Sequence, residues 1–277
     1  MTLQGVRCRR VSHTNIVIEN FDESIRFLED VYGAWFMSDM PKELWHACLI
    51  EVGGLVIELF EPKNFLLHGR VGAHYLGIEY EADVIEARAA AADHGVGILR
   101  DVEVAFHSDP RTSLGVDYEF YGHTFYGPTA THITNHTKPP EYWRDHPIGF
   151  RGLYGYTHLV ADLEAASQFL QSFLHAKPAY EAAREALGAR AIGLRIADDI
   201  CELISPVGEG ALLGNALTSS QGIRSTIYSV VDIDRTRKYL EGKGLRVIDG
   251  TCPGDIAVDP RDHLGIMFEF TGRNPPE

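Results

Sequence analysis

At 277 residues, with 45% hydrophobic and 23% charged residues, the chain has the composition of an ordinary globular protein of one large or two ordinary domains. Its formal net charge of −14 argues against nucleic acid as a partner, and no run approaches the roughly 20 apolar residues that a membrane-spanning helix needs. The N-terminal MTLQGVRCRR is basic but leads into no apolar segment, so a cytoplasmic protein without a secretory signal is expected.

In chain order, four segments share one layout: a short apolar strand, an acidic helix start, a helix, then further strands. The first opens SHTNIVIENFDESIRFLEDVYGAWF and closes GGLVIELFEP; the second opens GAHYLGIEYEADVIEARAAAADHGV and closes DPRTSLGVDYEFYG. The third opens YGYTHLVADLEAASQFLQSFLHA and closes DDICELISP; the fourth opens GIRSTIYSVVDIDRTRKYLEGKGL and closes DPRDHLGIMFEF. Asp22, Asp83, Asp162 and Asp232 stand near the helix starts, where a carboxylate accepts bonds from the free first-turn amides. Gly33, Gly95 and Gly244 follow three of the helices as left-handed caps would. The helices show apolar residues at helical spacing, such as Ile25, Leu28 and Tyr32, and the strands alternate with period two. Each unit therefore reads as βα followed by about three strands.

The segments beginning at Asp109 and Asp259 both run from Asp-Pro-Arg through Leu-Gly to Glu-Phe, 150 residues apart, so the whole chain reads as a duplicated two-unit domain. Between the halves, YGPTATHITNHTKPPEYWRDHPIG is rich in proline and polar residues and lacks clear periodicity, as a connection would. The four cysteines are scattered and form no CxxC pair, which argues against a thiolate zinc site or a disulfide framework; Cys48 and Cys201 lie in apolar runs and read as small core residues.

This tandem βαβββ layout, with His on a first strand and Glu on the last, resembles the vicinal oxygen chelate superfamily, which includes glyoxalase I, methylmalonyl-CoA epimerase, extradiol dioxygenases and bleomycin-binding proteins. The resemblance covers nearly all of the chain. It implies an α+β fold in which four βαβββ units pair into two glyoxalase-like domains, each with a curled mixed sheet around a cavity. The expected division is residues 8–125 for the N-terminal domain, 126–150 for the connection and 151–273 for the C-terminal domain. In the family, metal ligands come from the first and last strands of the units.

Strand parity supports ligands in the first half. His13 alternates against Thr14, Ile16 and Ile18, Glu58 against Leu55, Ile57 and Leu59, and Glu119 against Val116, Tyr118 and Phe120, so all three project away from the apolar faces. His74 opens the run HYLGIEY, where both faces are partly apolar. The spacing adds weight: His13 to Glu58 and His74 to Glu119 both span 45 residues, and His13 precedes Asp22 by nine, as His74 precedes Asp83. The expected site is therefore His13, Glu58, His74 and Glu119, holding one divalent ion among Fe, Mn, Ni, Zn and Co. A strand-edge histidine taken alone is more often a hydrogen-bonded surface residue. A glutamate in an apolar strand is harder to dismiss, because a buried carboxylate is costly unless paired or metal-bound.

The second half reads as degenerate. Glu202 matches Glu58 and Glu269 matches Glu119, but the counterpart of His74 falls near Ile223 to Ser225, and His158 lies only four residues before Asp162. This half is expected to shape the pocket, steady the first half or support a homodimer. The partner of the site is a small molecule.

Three functions stay open on these residues. The resemblance to glyoxalase I implies an isomerase or lyase whose metal acts as a Lewis acid, with Glu119 or Glu58 as base. An extradiol Fe(II) dioxygenase would use His13, His74 and Glu119, leaving Glu58 over, with His107 and His123 as loosely placed outer residues that otherwise read as loop. A metal-free binding or resistance protein would give the His/Glu set no role. His132 and His136 read as solvated, Trp45 and His46 as packing or pocket-mouth residues, and VGEGALLGNALTSSQG as a loop without the setting of a phosphate cradle.

Overall fold

The computed structural model of the protein describes residues 3–41, 43, 46–61, 72–128, 130, 133–208 and 221–276. Trp45, His132 and most of the glycine-rich run after Pro206 lie outside the described residues.

The first half runs β1 (Arg10–Val17), α1 (Phe21–Tyr32), β2 (Trp35–Pro41), β3 (His46–Val52), β4 (Leu55–Phe60), then β5 (His74–Glu81), α2 (Val84–Asp93), β6 (Ile98–Val102), β7 (Ala105–Ser108) and β8 (Asp117–Tyr121). The second half repeats it: β9 (Phe150–Leu159), α4 (Leu163–Phe173), β10 (Lys177–Arg184), β11 (Ala189–Ile196), β12 (Asp199–Pro206), then β13 (Gly222–Val230), α5 (Ile233–Gly242), β14 (Val247–Asp249), β15 (Ile256–Val258) and β16 (Met267–Thr271). Each half forms one eight-stranded mixed sheet, in the orders β2-β3-β4-β1-β5-β8-β7-β6 and β10-β11-β12-β9-β13-β16-β15-β14. The fold is α+β, four βαβββ units in two paired sets.

Local chemistry explains the helix ends. Asp83, Asp162 and Asp232 are N-caps whose carboxylates accept first-turn amides. α1 departs from this pattern: its N-cap is Asn20, with no side-chain bond, and Asp22 sits inside the first turn. Gly33 ends α1 at φ 62°, a left-handed cap that costs glycine nothing.

Apolar side chains on one face of each sheet (Ile16, Ile57, Tyr80 and Tyr118 from the first; Tyr156, Leu203, Tyr228 and Phe268 from the second) join the helices in one continuous buried cluster. Polar groups caught there are bonded across the halves. The Tyr75 hydroxyl donates to the Met267 carbonyl at 2.7 Å and accepts the Thr226 amide at 3.0 Å, and Tyr80 meets Tyr156 at 3.2 Å. His158 belongs to this layer. Its Nε2 donates to the Leu114 carbonyl at 2.9 Å, and its Nδ1 lies 3.5 Å from the Tyr118 hydroxyl.

The segment 126–150 is more ordered than its composition suggests. It carries α3 (Pro140–Asp145), whose Trp143 is buried and donates to Glu51 at 3.0 Å. Asn135 bonds the Met37 and Phe36 carbonyls, so this stretch lies along the β2 edge of the first sheet.

Candidate metal centre

Pairing of β1 with β4, and of β5 with β8, sets one row of side chains on the opposite face of the first sheet. Asn15 stands opposite Glu58, His13 opposite Glu79, Glu79 opposite Glu119, and Glu119 opposite His107 of β7. All of these carboxylates and imidazoles are nearly closed to solvent: His13 and Glu79 are 1% exposed, His107 5%, Glu119 7% and Glu58 9%.

His13 is the hub. Its Nδ1 lies 3.0 Å from Glu79 Oε1, while its Nε2 lies 3.2 Å from Glu58 Oε2 and 3.6 Å from Glu119 Oε2. Neither ring nitrogen finds a hydrogen-bond partner of proper direction, and Glu79 Oε1 likewise has none. Buried, misdirected contacts of this kind leave lone pairs that a cation would satisfy. On the far side of Glu119, His107 Nε2 lies 3.3 Å from Oε1, and its Nδ1 lies 2.9 Å from Asp117 Oδ2. Asn15 donates to Glu119 Oε2 at 3.2 Å, and the Phe125 ring meets the His13 ring edge-on at 5.3 Å.

The charges couple strongly. Burial alone would lower His13, but Glu79, Glu119 and Glu58 outweigh it and hold the imidazole well above its ordinary value. Burial likewise opposes a charge on His107, yet Glu119 and Asp117 push it up to about 10. Burial raises Glu79 to about 8 against the pull of His13, whereas Glu119, although buried, is held down at about 2 by His107 and His13. Without a metal, the imidazoles act as counter-cations for an excess of carboxylates. One ligand atom each from His13, Glu79 and Glu119 lies within 4.8 Å of the other two, and this group can hold one divalent metal ion.

Three of the four residues expected from the sequence, His13, Glu58 and Glu119, meet here. His74 does not. It pairs with Val17, four residues along β1 from His13, on the order of 13 Å away at strand rise, and its Nδ1 contacts the Gly72 carbonyl at 2.8 Å. The matching nine-residue spacings misled because Asp83 is an N-cap whereas Asp22 lies in the first turn, so the two aspartates are not equivalent. A bulge between the Asn15 and Ile16 pairings shifts the register further. Glu79 takes the place that His74 was expected to fill. Its signal was present, a glutamate in the apolar run HYLGIEYE, as was that of Asp117, which shares strand parity with Glu119. His107, read as loop, lies on β7, a strand too short to show alternation.

In the second half the same register positions carry Gly155 for His13, Ile227 for Glu79, Ala257 for His107 and Met267 for Asp117. His158 is not the counterpart of His13: it falls one residue beyond Thr157, which faces Glu202, and points into the layer between the sheets. The two retained carboxylates are neutralised by protein groups. Arg184 grips Glu202 through Nε at 3.1 Å and Nη2 at 2.5 Å, and Glu269 accepts bonds from Thr157, Ser225 and Thr251, with Arg224 at 3.7 Å.

No protein-family model and no curated protein matches the chain. Solved structures do. A mutant of 4-hydroxymandelate synthase from Streptomyces coelicolor superposes with a TM-score of 0.75 at 13% identity, covering 98% of this chain and 94% of that one. A mutant of homoprotocatechuate 2,3-dioxygenase from Brevibacterium fuscum does so with a TM-score of 0.65 at 14% identity, covering 100% and 74%. The fold shared with them over the whole chain is the arrangement of four βαβββ units in two paired sets.

Proposed function

We propose that the protein is a metal-dependent enzyme that moves a proton on a small substrate presenting two adjacent oxygens, in the manner of a glyoxalase-type isomerase or lyase. The observation that carries this reading is a surplus of carboxylate: Glu58, Glu79 and Glu119 converge on a single imidazole, more negative charge than a divalent ion needs. A bound ion would supply Lewis-acid polarisation of a substrate oxygen.

His13 and Glu119 would hold that ion, with Glu79 fixing the His13 ring from behind. Glu119 is committed on both oxygens, to His13 and Asn15 on one side and His107 on the other. Glu58 has His13 as its one recorded polar contact among the described residues and is the most exposed of the three carboxylates. That freedom suits Glu58 to the role of base, taking a proton from a carbon next to a carbonyl and returning it to a neighbouring position. Phe125, packed against His13, helps to keep water from the cluster.

One observation favours a second reading, a ring-cleaving or related dioxygenase. His13 and His107 flank the two oxygens of Glu119, so two imidazoles and one carboxylate meet in the combination that suits ferrous oxygenases, and the solved structures sharing the fold include homoprotocatechuate 2,3-dioxygenase.

The deciding experiment is to load the protein anaerobically with Mn, Co, Ni, Zn or Fe and incubate it with 2-oxo and 2-hydroxy acids in deuterated water and, separately, with catechols in an oxygen electrode. Deuterium entering the carbon next to the carbonyl, lost about a thousandfold in Glu58→Gln with metal still bound, supports proton transfer. Oxygen uptake confined to the iron form supports the second reading. Failure of every metal to bind sinks both.

A further inference from the structure

We infer that His107, a β7 residue, is the second imidazole ligand of the metal centre, and that Asp117 and Glu79 are the carboxylates that orient its two histidines. The inference rests on the cluster being a metal site, and holds for either reaction above.

The two histidines stand in the same relation to Glu119. His13 Nε2 faces Glu119 Oε2 at 3.6 Å, and His107 Nε2 faces Oε1 at 3.3 Å. Each carries a carboxylate on its other nitrogen, Glu79 Oε1 at 3.0 Å from His13 Nδ1 and Asp117 Oδ2 at 2.9 Å from His107 Nδ1. An imidazole that binds a metal through one nitrogen almost always donates the other N–H to a carboxylate, carbonyl or water, which fixes tautomer and ring orientation. His107 meets that requirement through its bond to Asp117, and Glu79 stands at the matching place 3.0 Å from His13 Nδ1, where turning the ring onto a metal would let that N–H donate; both Nε2 atoms are turned to the same carboxylate. Glu58 also lies on the Nε2 side of His13, at 3.2 Å, whereas Glu79 meets its Nδ1.

Backbone placement supports the same grouping. Gly77, one row from Glu79 on β5, stands opposite Asp117 on β8, and a β-carbon at position 77 would sit 1.9 Å from the Asp117 carbonyl oxygen. Asp117 itself reaches His107 across the β7–β8 pairing, with Oδ2 2.9 Å from Nδ1. The second half provides an internal contrast: where His13 is replaced by Gly155, the counterparts of Glu79, His107 and Asp117 are Ile227, Ala257 and Met267. The four residues are present together in one sheet and absent together in the other. Glu58 and Glu119, whose counterparts survive as Glu202 and Glu269, do not follow that pattern.

The alternative for His107 is a counter-cation that neutralises Glu119 and Asp117 without touching a metal. Titration of apo protein with Co(II), followed by its visible spectrum and by competition with a chelator, separates the two. As a ligand, His107→Ala weakens Co(II) binding more than about 100-fold and changes the spectrum, Asp117→Asn weakens it about 10- to 100-fold, and His74→Ala leaves both unchanged. Unaltered or tighter binding by folded His107→Ala overturns the inference while leaving the metal site standing; absence of Co(II) binding by the wild-type protein removes the site itself. Should the variants not fold, proton NMR of the wild-type Co(II) form gives the same answer. Two shifted, exchangeable imidazole N–H signals are expected, and a single one overturns the assignment.

Discussion

His13 and Glu79 face each other across β1 and β5, with Nδ1 and Oε1 3.0 Å apart, so the strand that was expected to bring a second histidine brings a carboxylate instead. This pairing sets the character of the centre. It places negative charge behind the one histidine on the first strand, which raises the basicity of that ring as a donor.

Glu79→Gln is accordingly expected to keep the fold and to weaken divalent-metal binding about 10- to 100-fold, because the amide still occupies the space but no longer anchors the ring with a charge. Isothermal titration with Mn or Zn checks this. Affinity equal to wild type would show that the carboxylate does not orient His13.

Metal should also stabilise the protein, because the ion binds the assembled cluster and not the unfolded chain. At a free concentration 100 times the dissociation constant the gain is about 2.7 kcal/mol. For a chain of this size, a rise in melting temperature on the order of 5–10 °C is expected, lost in His13→Ala. An unchanged melting curve across a metal titration would count against the site.

In the second half, Arg184 and Glu202 form a closed ion pair, 6% and 0% exposed at the side chain, with Nη2 and Oε2 2.5 Å apart. Arg184→Ala leaves a buried carboxylate without its main partner and should destabilise the protein by about 3–5 kcal/mol. Adding Glu202→Ala should recover much of that loss, since the stranded charge is gone. Denaturant unfolding of the single and double variants tests it; equal stability in the two would refute the pairing argument.

Acid should unfold the protein partly through two histidines far from the metal centre. Burial holds His158 and His263 down at about 4, and both are fully enclosed, with His158 donating to Leu114 and His263 Nδ1 3.0 Å from the Ile266 carbonyl. Their ordinary value in the unfolded chain is about 6.5, so the unfolded state binds more protons between pH 6.5 and 4. Stability is therefore intact above 6.5 and falls as pH drops towards 4, by roughly 3 kcal/mol for each histidine. His158→Gln should flatten part of that slope. A pH-stability curve identical to wild type would show that His158 does not contribute.

Period-two alternation in β1, β4 and β8, capping aspartates at three helices and the 150-residue duplication were legible in the residues themselves, because they are local or simply repeated. They were enough for the four βαβββ units and for setting His13, Glu58 and Glu119 on one face of the first sheet. Which residue of β5 stands opposite His13 is not a local property. One bulge and one shifted helix cap moved the register by several residues, and in a strand such a shift replaces one side chain at the site with another. His107 and Asp117 joined the centre through the β7–β8 pairing, and His158 left it by lying one residue out of phase with Thr157. The sequence determined which faces would be buried and which carboxylates needed an explanation. Tertiary structure alone decided which groups meet, because cross-strand pairing, and not spacing along the chain, brings charges within reach of one ion.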